Sequence, residues 1–169
     1  MINAEPLRQI SLKRLLASVR HPTIATADRQ GKPWNTPLLA AIDRNARLYW
    51  SSHPDSQHSQ NIAQNGRAFM VFFDSIQGGL GLYLDTTADR VTDPRTVQEA
   101  LNLLTKRIPG VCAPLPEFLA SEQRIYRAVP HRAWLSDVTH NDSGAVLRDI
   151  RVEINLDELQ NVAAVLDPL

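Results

Sequence analysis

Apolar side chains over residues 6–20 recur at helical spacing. Leu12, Leu15, Leu16 and Val19 share one face, with Lys13, Arg14 and Ser18 off it, which predicts an amphipathic helix. His21-Pro22 ends it, because proline cannot continue a helix and restrains the residue before it. The period then changes. Residues 23–27, 34–42 and 48–51 read as strands separated by polar turns at 28–32 and 43–46. Residues 68–73, AFMVFF, form a buried strand and residues 80–91 a long alternating one. Asp93-Pro94 opens a second amphipathic helix with proline at its first position, and Val97, Ala100, Leu101 and Leu104 are its stripe. After a break at 109–116 and a helical turn at 117–121, two strands (125–129 and 133–138) flank Pro130. A turn at 141–144 leads into a last strand, 146–154. Asn155, with Glu158 three residues on, starts a closing helix. About seven short strands in meander order, with helices inserted and no βαβ rhythm, predict a mainly β, α+β domain spanning residues 1–169. An antiparallel barrel is favoured over a parallel sheet.

Composition narrows the partners. Lys plus Arg and Asp plus Glu number 18 each, for zero formal net charge, so there is no basic excess for a nucleic-acid backbone. No apolar run reaches the length of a membrane span, and the N-terminus is expected to lack a signal-peptide core because Arg8, Lys13 and Arg14 interrupt it. The expected setting is the cytoplasm. One cysteine, Cys112, leaves no intramolecular disulfide and no multi-cysteine zinc site.

The chemistry concentrates in residues 47–73, RLYWSSHPDSQHSQNIAQNGRAFMVFF, which read as strand, polar turn, short helix and buried strand. Ser, Gln, His and Asn side chains crowd the helix start, where unpaired N–H groups and the positive end of the helix dipole suit an anion such as a phosphate. The plainer alternative is that Asp55 or Ser56 caps an exposed helix, with His58, Ser59 and Gln60 solvated.

Other constellations are weaker. Gly78-Gly79-Leu80-Gly81 lacks the strand-to-helix context of a dinucleotide fingerprint. His53 and His58 lack a third ligand at a recognisable spacing for a metal. Ser51 and Ser52 lie near histidines without a nucleophile elbow. Trp34 reads as core or dimer packing. Tyr126, Arg127 and Arg132 precede the last hairpin and are candidates to line a groove from a second subunit, while each arginine taken alone reads as an ion-pairing residue.

Taken together, ATADRQGKPWNTPL, LYWSSHPDSQHSQNIAQN, GLGLYLDTTADRVTDP and IYRAVPHRAWL, in this order and spacing, resemble the pyridoxamine 5′-phosphate oxidase-like FMN-binding split barrels over nearly the whole chain. The resemblance implies a homodimer of split β-barrels with FMN in a groove between subunits. It implies that Thr36, Pro37, Leu38 and Leu39 lie along the flavin and phosphate, and that Trp50, Ser51 and Ser52 lie beside the isoalloxazine and ribityl chain. Ser56, Gln57 and His58 would grip the phosphate, with Asn61 in the following helix; the packing alternative for Trp50 stays open. The family oxidase carries Arg and Lys where this chain has Thr36 and Ala41, and an Arg-Lys pair where it has Gln57-His58. Here hydroxyls, an amide, an imidazole and backbone N–H groups would replace charged phosphate ligands, with His58 as a possible cation if a phosphate raised its pKa. The oxidase's C-terminal substrate grip has Trp134 as its nearest aromatic counterpart. The implied activity is that of an FMN-dependent oxidoreductase acting on a small molecule. The alternatives are a deazaflavin-dependent reductase in the same groove, or a non-catalytic flavin or haem carrier. No catalytic acid or base is identified.

Overall fold

A computed structural model describes residues 4–76 and 80–166 of the chain. In chain order it contains α1 (Ala4–Ser18), β1 (Thr23–Ala27), β2 (Pro33–Pro37), β3 (Ala41–Ile42), β4 (Leu48–Ser52), α2 (Gln57–Asn65) and β5 (Arg67–Phe73). Then follow β6 (Gly81–Arg90), α3 (Pro94–Arg107), α4 (Leu115–Ala120), β7 (Arg124–His140), β8 (Val146–Ile154) and α5 (Leu156–Leu166).

The eight strands form one antiparallel sheet in the order β2-β1-β5-β6-β7-β4-β3, with β8 added to β7. The two ends of this path, β2 and β3, are consecutive in sequence and separated by only residues 38–40. Laid flat, six inter-strand steps would part them by about 29 Å, whereas the connection reaches at most about 14 Å. The sheet therefore curls until its rims meet without pairing, which is a split barrel. Leu38 and Ala40 donate their N–H groups to the carbonyls of Pro22 (3.0 Å) and Arg20 (3.2 Å), pinning the bridge.

Two expected boundaries change. Residues 34–42 are two strands rather than one, because Pro37 ends the pairing with β1 and the chain crosses to the opposite rim to pair with β4. The strands expected on either side of Pro130 are one 17-residue strand. β7 pairs with β4 up to Ala128 and with β8 from Ala133, so Pro130 falls where no partner needs its missing N–H. A bulge opposite Asp85/Thr86 takes up the local irregularity. Three turns share one device: the side-chain Oδ1 of Asp28, Asp43 and Asn141 accepts N–H groups two and four residues on, at 2.8–3.1 Å.

The helices bury the stripes predicted for them. Leu12, Leu15 and Leu16 of α1 are fully buried against Met70, Phe72, Leu82 and Leu84 of the sheet, and Leu159 and Ala163 of α5 join the same core. Val97, Ala100, Leu101 and Leu104 of α3 build a second core with Ala41, Tyr49, Ile125 and Phe118. Asp93 caps α3 by accepting the Thr96 N–H at 2.9 Å, and Asn155 opens α5 by accepting the Asp157 N–H at 3.0 Å. Gly78 and Gly79 lie outside the described residues. None of the described helices is long and apolar enough to cross a membrane.

Candidate functional site

β4 delivers Ser51 and Ser52 to the sheet's edge, residues 53–56 turn, and α2 runs back to β5. Amide side chains along α2 hold it against β1. Asn61 Nδ2 donates to Thr26 Oγ1 at 3.0 Å, Asn65 Nδ2 to the Ala27 carbonyl at 2.8 Å, and Gln64 Oε1 accepts the Arg29 N–H. Gly66 ends the helix in the left-handed region (φ 67°) with its N–H on the Ile62 carbonyl at 2.8 Å.

The start of α2 gathers four polar side chains. Ser52 Oγ and His58 Nε2 lie 2.8 Å apart, and Ser52 Oγ and Ser56 Oγ 3.0 Å apart. Ser56 Oγ also lies 3.3 Å from His58 Nε2, and reaches the His53 carbonyl (2.9 Å) and Ser59 Oγ (2.8 Å). Ser56 occupies the N-cap position with extended backbone (φ −64°, ψ 145°), yet its hydroxyl makes no bond to the helix backbone. The first helical donor is the Gln60 N–H, to the Ser56 carbonyl. Among the described residues, no acceptor takes the N–H groups of Gln57, His58 or Ser59, so the helix presents orphan donors and the positive end of its dipole beside the hydroxyls.

His58 and Ser59 are buried, so the solvated-face alternative holds only for Gln60. Burial pushes the His58 imidazole below its usual value, with no neighbouring charge contributing. Burial therefore favours the neutral ring when no ligand is bound. His53 is engaged separately: the Asp55 N–H donates to its Nδ1 at 3.1 Å, which leaves the ring proton on Nε2, 3.2 Å from Glu122 Oε2.

The remaining expected residues divide. Gln57 is exposed at the mouth and donates from Nε2 to Asn61 Oδ1 at 2.9 Å. Asn61 itself is fully buried with both ends of its amide engaged, so it positions α2 and Gln57 rather than facing outward. Ser51 is half-buried with its Oγ 3.3 Å from Gln123 Oε1. Thr36 Oγ1 accepts the Trp34 indole N–H at 2.8 Å, and Pro37 is exposed. Leu38 joins the main core, and Leu39 packs against the second. Trp50 resolves in favour of packing: its ring is fully buried, stacked on Tyr126 at 5.8 Å, with Nε1 lacking an acceptor. Trp34, by contrast, is not core; the residue is 47% exposed. Arg127 forks onto Asp89 at 3.0–3.2 Å and Arg132 onto Glu153, the ion pairs expected of them. Trp134 stacks on Phe69 under the Arg132 guanidinium. Cys112 is half-buried and its thiol is pushed up by burial, as suits an inert residue.

Three participants escaped the sequence. Ser59 was legible in principle, since i, i+3 spacing from Ser56 places both on one side of the first turn. Glu122 and Gln123 carried no signal, because they meet His53 and Ser51 only through the pairing of β4 with β7, about seventy residues away. No group of three potential metal-ligating side chains occurs among the described residues. A cavity of about 700 Å³ between Phe73, Tyr83, Asp149 and Arg151 contains none of the expected residues.

Comparison with known proteins fits this architecture. No curated protein matches the chain. Among solved structures, it is similar to HutZ, described as a haem storage protein of Vibrio cholerae (14% identity, 72% of this chain and 89% of that one, TM-score 0.63). It is similar to a putative pyridoxamine 5′-phosphate oxidase from Listeria innocua (12%, 76% and 97%, TM-score 0.60) and to an F420 reductase (22%, 72% and 94%, TM-score 0.57). At these identities the likeness shows a shared split-barrel fold. The sequence model of the pyridoxamine 5′-phosphate oxidase family matches residues 11–138, which hold every strand from β1 to β6, nearly all of β7 and the whole hydroxyl–imidazole cluster. The chain belongs to the pyridoxamine 5′-phosphate oxidase family.

Proposed function

We propose that the protein is a cytoplasmic FMN-dependent oxidoreductase acting on a small molecule, with the flavin held at a homodimer interface. The observation that carries this reading is the N-cap serine that does not cap. Ser56 turns its hydroxyl toward Ser52 and His58 and leaves the N–H groups of Gln57, His58 and Ser59 for an outside acceptor. A phosphate oxygen is such an acceptor. Ser52 and Ser56 would donate or accept as the ligand requires, and Gln57 would close the mouth from the solvent side. His58 would donate from its neutral form or take up a proton as the phosphate approaches. When bound, FMN supplies hydride or electron transfer; the chain's part is to bind and orient it. Exposed Trp34 and Phe73, with half-buried Phe69 and Trp134, leave apolar surface on the sheet suited to a second subunit.

The family and its structural relatives support two other cofactors. The F420 reductase likeness favours a deazaflavin in the same place. The haem reading has less support from the site, where His58 Nε2 is already engaged by Ser52 and both ring nitrogens of His53 are occupied.

An absorbance spectrum of the purified protein separates flavin, deazaflavin and haem, and a fluorescence titration with FMN measures affinity. The expected result is saturable FMN quenching that weakens in Ser56→Ala combined with His58→Ala. A protein that leaves FMN fluorescence unchanged defeats the proposal. Anaerobic reduction of the bound flavin by NADH or NADPH then tests turnover.

A further inference from the structure

We infer that the cavity where the C-terminal ends of α1 and α3 meet β3 and α5 is a second, separate site, which takes a small oxyanion between Arg20 and Arg107. The cavity measures about 300 Å³, at the lower end of the range for small-molecule pockets. Among the described residues, three basic ones, Arg20, Lys106 and Arg107, and no acidic one line it, with Ala41 and Ile42 of β3 beside them.

Arg107 has a plain structural duty that accounts for only part of its guanidinium. Its Nη2 donates to the carbonyls of Leu16 and Val19, both at 2.7 Å, closing the end of α1. The carbonyl ends of helices favour a cation, so this capping needs no further explanation. Its Nε, however, is buried with no acceptor, an arrangement that native structures seldom leave without water or an ion. No described carboxylate pairs with Arg107 or with Arg20. Burial, and then the Arg20 charge, depress the Arg107 pKa. Two arginines that repel each other at one cavity, with no described carboxylate between them, offer the charged donors that a carboxylate or phosphate oxygen accepts. The cluster shares no side chain with the Ser52–His58 site, so this inference stands apart from the flavin reading.

The probe is inorganic phosphate, titrated against chloride at constant ionic strength while thermal unfolding is followed. Phosphate is expected to raise Tm saturably in the native protein, and equally in the combined Ser56→Ala, His58→Ala variant. Arg20→Gln is the main test, because Arg20 is exposed and its side chain makes no described hydrogen bond or ion pair. It should weaken the apparent affinity about tenfold, the loss of one charge-assisted contact. Arg107→Gln should remove the response and also lower Tm without phosphate, since it uncaps α1. Phosphate ³¹P line broadening, relieved by Arg20→Gln, is the second measurement. A Tm rise no larger than chloride gives, or one that Arg20→Gln leaves intact, overturns the inference. So does a rise lost with Ser56 and His58, which places the phosphate at the other site. A rise seen only in Asp167→Asn also overturns it, because the acid that follows Leu166 in sequence would then be the occupant.

Discussion

The Ser52 hydroxyl and the His58 imidazole sit 2.8 Å apart at the start of α2, one on a strand end and the other buried in the first helical turn. Because burial alone depresses the His58 pKa, the folded chain resists protonating a ring that the unfolded chain protonates near its ordinary 6.5. Stability is unaffected by this residue above that value and falls as pH drops below it, where only the unfolded state gains the proton. Unfolding followed between pH 7.5 and 5.5 should show this decline, and His58→Gln should flatten it. An equally steep profile in the variant would refute the assignment.

Trp50 separates packing from ligand contact. Its ring is sealed in the core, so Trp50→Ala should cost about 3–5 kcal/mol of stability. Trp50→Phe should cost less, since it also removes the unpaired indole N–H. FMN titration of folded Trp50→Phe should give the native affinity. A large loss of affinity would mean that the indole does reach the cofactor.

Asn61 is a joint between β1 and α2. Asn61→Ala strands the buried Thr26 hydroxyl and releases Gln57, for a cost of about 1–3 kcal/mol. Urea unfolding measures it, and FMN affinity should fall alongside as α2 loosens. A neutral substitution would show that the two bonds contribute nothing to holding the helix.

Gly66 holds a left-handed cap with its missing Cβ facing the Ala88 carbonyl at 3.4 Å. Gly66→Ala should cost about 1–2 kcal/mol, the penalty of a side chain in that region. An unchanged denaturation midpoint would argue against the strained geometry.

The sequence made the periodic elements legible and the closures illegible, for a physical reason. Leu12, Leu15 and Leu16, like Val97, Ala100, Leu101 and Leu104, announce their helices because burial follows the local 3.6-residue period. Asp28, Asp43 and Asn141 likewise announce their turns, since each satisfies backbone donors within four residues. The break at residues 38–40 left no such mark: it depends on β2 and β3 pairing at opposite rims, which no local pattern records. The same holds for Pro130, harmless only because β7 changes neighbours there. At the candidate site, the serines and the helix start were readable. The burial of His58 and Trp50 was not, as it comes from strands and helices distant in sequence.

The placement of β4 between β3 and β7 also governs how the molecule can be made. Its only substantial neighbour is Arg124–Ala128, while β3 offers it just two residues. During synthesis the strand that carries Ser51 and Ser52 must therefore wait, one edge bare, for a segment some seventy residues downstream to leave the ribosome. The site region is written early in the chain and assembled late, which exposes its newborn form to chaperones and to mispairing with neighbouring chains.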